Sequence, residues 1–339
     1  MNKIKLLSLC IVLFVAVSFS CCEKDNFKPN VPANVYVVGD EAIVRMFTSS
    51  NAMLWSKGKA TILCKEIGRA KSVFVSGEDV YVAGCVFGYE QIMAAVWKNG
   101  NVQYLTGGTS FAFANSVFVS ENNVYVAGQE DNMAKLWVNG KVQNLSDGTV
   151  ETRATSVFVS GNDVYVVGYE IHPEGVGFAT VWKNGDKQYL SGGTHAHSVF
   201  VSNNNVYIVG EDCSKGYAVV TLWKNGDVQY LTGEETYGFA HSVYVSGNDV
   251  YVAGSERNEG AGSGYQHVAK VWKNGVPQNL SDGSFEAIAY SVFVSGNDVY
   301  VAGYEERKNQ RIAKLWINGN SHSLSSGKNA TEAYSVFVK

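Results

Sequence analysis

Seven tryptophans, at positions 55, 97, 137, 182, 223, 272 and 316, stand 40 to 49 residues apart along a chain of 339 residues. Two unrelated domains of ordinary size would not space one residue type so evenly. The interval marks a single unit copied seven times, in the range where propellers and solenoids occur. Around each Trp the same segments recur in order: Ala-x-Ser-Val-Phe-Val-Ser, a short Gly-Asn-Asp turn, Val-Tyr-Val-Ala-Gly, a variable stretch, Ala-x-x-Trp-x-Asn-Gly, and an alternating run ending in Leu. The Ser of the first motif stands at 72, 116, 156, 198, 242, 291 and 335, and the Tyr of the second at 36, 81, 125, 165, 207, 251 and 300.

Each unit reads as four short strands, A (Ser-Val-Phe-Val), B (Val-Tyr-Val), C (through Trp) and D (through Leu). Val, Tyr, Phe and Trp suit strands, and no run has helical spacing. Asn-Gly between C and D populates the positive φ that a two-residue hairpin requires, and Ser-Gly-Glu-Asp and its copies make the A–B turn. Four antiparallel strands in about 45 residues form a propeller blade. Strands A and B are apolar at nearly every position, as befits blades covered on both faces.

The ends decide between a ring and an open stack. The repeats begin with a B strand at Val35-Tyr36-Val37-Val38-Gly39 and stop with an A strand at Ser335-Val336-Phe337-Val338. The last strand therefore completes the first blade and leaves no exposed edge. The expected fold is all-β, a seven-bladed propeller over residues 34–339, and it is expected to be monomeric.

Ahead of it, residues 1–20 read as an export leader. Lys3 and Lys5 precede the apolar stretch Leu6 to Val17, which is short for a membrane span. Val17-Ser18-Phe19-Ser20-Cys21 resembles a bacterial lipoprotein signal, which implies a lipid on Cys21, with residues 21–33 as a polar tether. The acidic stretch behind the cysteine is similar to the surface-export signal of Bacteroidetes lipoproteins. The resemblance implies an outer-membrane address, at the cell surface or the periplasmic face, with membrane contact through the lipid alone. The formal net charge of −4 becomes more acidic when the two leader lysines are lost. No basic run offers a nucleic-acid surface. No cysteine recurs between repeats, so disulfides do not hold the fold; a Cys64–Cys85 bridge is chemically open in an oxidising compartment.

The repeat itself also carries a likeness. Ala134-Lys135-Leu136-Trp137-Val138-Asn139-Gly140, then Leu145-Ser146-Asp147-Gly148-Thr149, Ala154-x-Ser156-Val157-Phe158-Val159 and Val164-Tyr165-Val166-Val167-Gly168 resemble the extracellular HAF-type repeat. Leu-Thr or Leu-Ser often stands where that pattern has Leu-Gly. The resemblance implies a secreted propeller and supplies no catalytic residues.

Alternation puts the short A–B and C–D turns on one face of the disc and the variable B–C and D–A connections on the other. Variable loops on a rigid scaffold are where binding residues gather. Three features mark that face. An acid stands two residues past the strand-B Gly, at Glu41, Glu130, Glu170, Asp212, Glu256 and Glu305, with Val86 breaking the series. It reads either as a carboxylate ring for cations or sugar hydroxyls or as a set of local hydrogen-bond acceptors, and sixfold repetition favours the second. The residue before the strand-A Ser varies where its neighbours do not: Lys71, Asn115, Thr155, His197, His241, Tyr290 and Tyr334. His195, His197 and His241 are candidate metal ligands, though no carboxylate or thiolate stands at ligand spacing in the sequence, so hydrogen-bonded imidazoles are expected. Aromatics crowd the long loops (Phe111, Phe113, Tyr169, Phe178, Tyr217, Tyr237, Phe239, Tyr265, Phe285, Tyr304) and could stack on sugar rings.

Catalytic signals are weak. The sialidase-type Asp box is absent, since Ser146-Asp147-Gly148-Thr149 has the wrong order, and no phosphate loop, nucleophile elbow or zinc-protease helix occurs. No cofactor is called for. The reading is a non-catalytic envelope binding or scaffold module taking a glycan or protein on the variable face. The alternative is a glycan-acting hydrolase or lyase using acids there, which would need two carboxylates at about 5–9.5 Å.

Overall fold

The computed structural model describes residues 27–43, 50–258 and 266–339; the leader, Cys21, tether residues 22–26 and Tyr265 lie outside them. Among the described residues, 28 strands (β1–β28 in chain order) form seven four-stranded antiparallel sheets, the blades of one propeller. Blade 2 is typical: β4 (Gly68–Ser76), β5 (Asp79–Phe87), β6 (Ile92–Lys98) and β7 (Asn101–Tyr104) run from the axis outward in chain order. Blade 1 alone is assembled from both ends. Its inner strand is β28 (Thr331–Val338), paired with β1 (Val35–Ala42) from Val35↔Val338 to Glu41↔Thr331.

The core lies between blades. Each of seven buried clusters joins two neighbours; one holds Tyr81, Ala83 and Val96 of blade 2 with Val117, Val126 and Trp137 of blade 3. The seven Trp side chains are fully buried in these interfaces, each against the preceding blade. Aromatic bodies of this size supply the largest apolar area per residue, which is why one Trp per unit suffices.

Two further repeats of the motif become intelligible around the axis. Each motif Ser accepts a hydrogen bond from the backbone N–H of the Val in the next blade, Val117 N–H to Ser72 Oγ through Val73 N–H to Ser335 Oγ, at 3.2–3.4 Å. Each Phe (Tyr244 in blade 6) packs on the next, with ring centroids 4.7–5.0 Å apart, until Phe337 meets Phe74. Both rings close without a gap.

On the short-turn face, the Asn of Asn-Gly does more than turn. Asn99, at φ 52°, accepts from Val80 N–H at 2.9 Å and donates to Asp79 at 2.7 Å, so the C–D turn clamps the A–B turn. Cys64, Cys85 and Cys213 are free thiols; the bridge between Cys64 and Cys85 does not form.

Candidate functional site

In every blade the pairing of strands A and B slips once, between the Ala and the Ser of Ala-x-Ser. The intervening residue is the extra one of a β-bulge, a device that re-aims a side chain. These residues are Lys71, Asn115, Thr155, His197, His241, Tyr290 and Tyr334, the position that varies among the repeats. Opposite the slip stands the strand-B Gly, pressed so close that a Cβ on Gly84 would lie 1.9 Å from the Arg69 carbonyl oxygen. Ala-x-Ser and Val-Ala-Gly are thus two halves of one device.

The bulge residues meet around the channel mouth. The Lys71 ammonium sits 3.6 Å from the centroid of the Tyr334 ring. Tyr334, Tyr290, His241 and His197 follow at centroid spacings of 5.2, 5.1 and 5.9 Å. Asn115 donates to the Ala154 carbonyl at 2.9 Å and Thr155 to that of Ala196 at 2.8 Å, so the polar side of the ring is stitched blade to blade.

Two charged partners of this ring come from the residue directly after the strand-B Gly, and a third, Glu332 on the inner strand of blade 1, accepts from the Tyr290 hydroxyl at 3.4 Å. Asp40, in blade 1, is buried; it accepts from Ala70 N–H at 3.2 Å and faces Arg69 Nε at 3.4 Å. Burial pushes its carboxyl up to about 7 despite the attraction of Lys71 and Arg69. The folded state therefore holds a proton there that the unfolded chain has lost, and ionisation destabilises it as pH rises from about 4 through 7. Relative to Asp40→Asn, which carries no such titration, wild-type stability should fall by about 4 kcal/mol between pH 4 and 8. Urea denaturation of both proteins across that range checks it; parallel pH profiles would refute it.

Glu211, in blade 5, holds the corresponding place. Its Oε1 lies 2.9 Å from His197 Nε2 and 3.7 Å from His195 Nδ1, and Cys213 is close behind. The carboxylate and the cysteine sulfur missing at ligand spacing in the sequence are therefore present in space. Burial drives the His197 imidazolium down, but Glu211 more than offsets this and holds its pKa up; burial and the neighbouring His197 push His241 down to about 4, against the weaker pull of Glu211.

The acids two residues past the Gly are engaged inside or beside their own blades. Glu130 contacts Lys135 at 3.5 Å, Glu256 contacts Lys270, Glu305 contacts Arg307, and Glu41 accepts from Asn329. Tyr237 donates to the Gly216 carbonyl at 3.2 Å beneath the Arg257 guanidinium, away from the bulge ring. Strands B and C of blade 4 also pair as far as Ile171↔Gly177, so Tyr169 and Phe178, expected among the long-loop aromatics, lie on strands and the loop begins at His172.

Glu170 is likewise held by its own blade but differs in its setting. It forms the floor of an open cleft of about 420 Å³ between blades 3 and 4, lined also by Ser146, Asp147, Thr149, His172, Lys187 and Tyr189. Lys187 Nζ reaches Glu170 at 2.9 Å and the Tyr189 hydroxyl donates to it, while Phe178 backs His172 and Tyr189. Burial raises the Glu170 pKa, but the bonds from Tyr189 and Lys187 hold it below the usual carboxylate value. Asp147, capped by the Thr149 amide and hydroxyl, is held low as well.

No protein-family model and no curated protein matches the chain. Solved structures do. One is a puromycin hydrolase, 12% identical with a TM-score of 0.56, over 88% of this chain and 54% of that one. The β-propeller domain of the Trilobed protease from Pyrococcus furiosus, described as having an open velcro topology, is 11% identical with a TM-score of 0.55, over 89% and 95%. TolB from Acinetobacter baumannii is 10% identical with a TM-score of 0.50, over 89% and 82%. The chain spans about half the length of the puromycin hydrolases it matches. The likeness is one of fold. Unlike an open ring, this one is closed by β28 on β1.

Proposed function

We propose that the chain is a non-catalytic binding module of a bacterial cell envelope, held by a lipid on Cys21, and that it takes a carbohydrate in the cleft between blades 3 and 4. The cleft carries the reading. Its volume falls in the range of about 300–1,000 Å³ typical of small-ligand sites. Its lining pairs hydroxyl-bonding groups (Asp147, Glu170, Lys187) with an exposed aromatic, Tyr189, against which a sugar ring can stack. A protein partner would be better served by a flatter, more apolar patch.

The acids of the cleft also favour binding over hydrolysis. A general acid needs a carboxyl raised toward the working pH, and both Asp147 and Glu170 are shifted the other way. Asp40 is raised, but it is buried three blades away.

The lipid-free chain from residue 30 onward, screened on an array of envelope and extracellular glycans, should bind at least one saccharide class. Tyr189→Ala and Asp147→Ala, both at exposed side chains, should each weaken that binding by at least tenfold, while Tyr237→Ala leaves it unchanged. Hydrolysis of any arrayed polysaccharide, or capture of an envelope protein with no glycan bound, would overturn the proposal.

A further inference from the structure

We infer that blade 5 carries a transition-metal site of the zinc class, built from His195, Glu211 and Cys213. This goes beyond the carbohydrate cleft and does not depend on it. His195, on β16 (His195–Ser202), is the cross-strand partner of Glu211 on β17 (Asn205–Asp212). Cys213 follows Glu211 by two residues, the spacing that returns a side chain to the same face of an extended strand. Its backbone N–H donates to Thr194 Oγ1 at 3.1 Å, which folds the chain back over the pair. One donor atom from each of the three residues lies within 4.8 Å of the other two.

Bonds of about 2.0–2.3 Å in a tetrahedron would place those atoms about 3.3–3.7 Å apart. A contraction of about an ångström, within reach of side-chain rotation, completes the set. One carboxylate oxygen already lacks a partner. Glu211 is 5% exposed, and its Oε2 is buried without a hydrogen bond. An orphaned buried carboxylate oxygen is costly unless something unseen satisfies it, and a cation does so.

The surroundings hold the donors in place. His197 Nε2 bonds the other oxygen of Glu211 at 2.9 Å, the outer-shell contact that orients a ligating carboxylate. The His195 ring stacks 7° from parallel on His197 and stands edge-on to Tyr169, with centroids 6.2 and 4.4 Å away. One nitrogen, one oxygen and one sulfur donor suit zinc and its borderline neighbours, and disfavour calcium or magnesium, which take oxygen. Three protein ligands leave a fourth position for water or an exogenous group. The trio occurs in one blade of seven, so the scaffold does not need it.

Titrating the metal-stripped full chain with zinc chloride against a chromophoric chelator should show one equivalent bound. Cobalt chloride should give a thiolate-to-cobalt charge-transfer band. Cys213→Ser should abolish that band and weaken zinc at least tenfold, and His197→Gln should weaken it about 10–100-fold. Because variants can misfold, the deciding measurement uses the wild type. Saturating zinc should protect Cys213 from iodoacetamide, read peptide by peptide with Cys64 as the internal control. Equal alkylation of Cys213 with and without zinc overturns the site, as does a charge-transfer band that survives in Cys213→Ser.

Discussion

Deleting Ser335–Lys339 should abolish the closed monomeric disc. These five residues complete three circular structures at once. Ser335 Oγ accepts from Val73 N–H, and Val336 N–H donates to Ser291 Oγ, so two of seven blade-to-blade bonds disappear. Phe337 sits between Phe293 and Phe74, at 4.9 and 5.0 Å, and is one link of the aromatic ring. Val336 and Val338 belong to the buried cluster joining blades 7 and 1. Burying an apolar side chain of this size contributes roughly 1.5–3 kcal/mol, and the deletion removes three. The sum, with the lost hydrogen bonds, approaches the whole stability of a typical domain, about 5–15 kcal/mol. It also uncovers β1, an apolar strand whose free edge invites pairing with another chain. Size-exclusion chromatography and thermal melts should show oligomers and no cooperative transition near the wild-type midpoint. A monomer melting as the intact chain does would mean that closure contributes little.

The architecture was legible because it is written seven times. Trp spacing, the Asn-Gly turns and the unmatched strands at the two ends lead to blade, hairpin and closure in that order. Side-chain contacts between blades and between turns were less legible, since no spacing within a unit announces that Ser72 meets Val117 in the next blade or that Asn99 clamps Asp79 in its own. The candidate site was legible in half. The bulge positions stand out as variation within a repeating motif, and Lys71, His197, His241, Tyr290 and Tyr334 do gather at the mouth.

The acids beside them stand one residue closer to the Gly than the recurring series, and the bulge explains why. Counting back along an unbroken ladder from Ser198↔Val209 puts His195 opposite Asp212, the acid two past the Gly. The extra residue moves the register, so that His195 lies opposite Glu211 instead. In a strand of period two, a shift of one exchanges the two faces. Glu130, Glu256 and Glu305 are bound up locally, as their repetition favours, and Glu170 floors the cleft, while Asp40 and Glu211, which no recurring acid marks, face the ring. The blade 3–blade 4 cleft was beyond any count along one chain, because its walls come from two units whose loops approach only after the disc has formed.

The same bulge makes Gly210→Ala one of a set of single-methyl changes with very large expected effects, alongside the equivalent glycines of the other blades. A Cβ there would lie 1.9 Å from the His195 carbonyl oxygen, 2.8 Å from its carbon and 2.9 Å from the Ala196 Cα. All three obstacles are backbone, so no rotamer can relieve them and strands β16 and β17 must part. Overpacking by side chains typically costs about 1–3 kcal/mol. A rigid main-chain collision of this depth should exceed that and reach about 4–5 kcal/mol, the range reserved for exceptional single substitutions. Gly247→Ala separates the clash from the loss of glycine as such. Gly247 has φ +59° and nothing within 4 Å of its added Cβ, so only backbone strain of about 1–2 kcal/mol is expected there. Urea denaturation of the two variants should show the difference directly. Gly84→Ala should repeat the larger effect in blade 2, where the Arg69 carbonyl is equally close. If Gly210→Ala stayed within about 1 kcal/mol of Gly247→Ala, the bulge would be a soft irregularity, and the aim of His197 at the channel would need another cause.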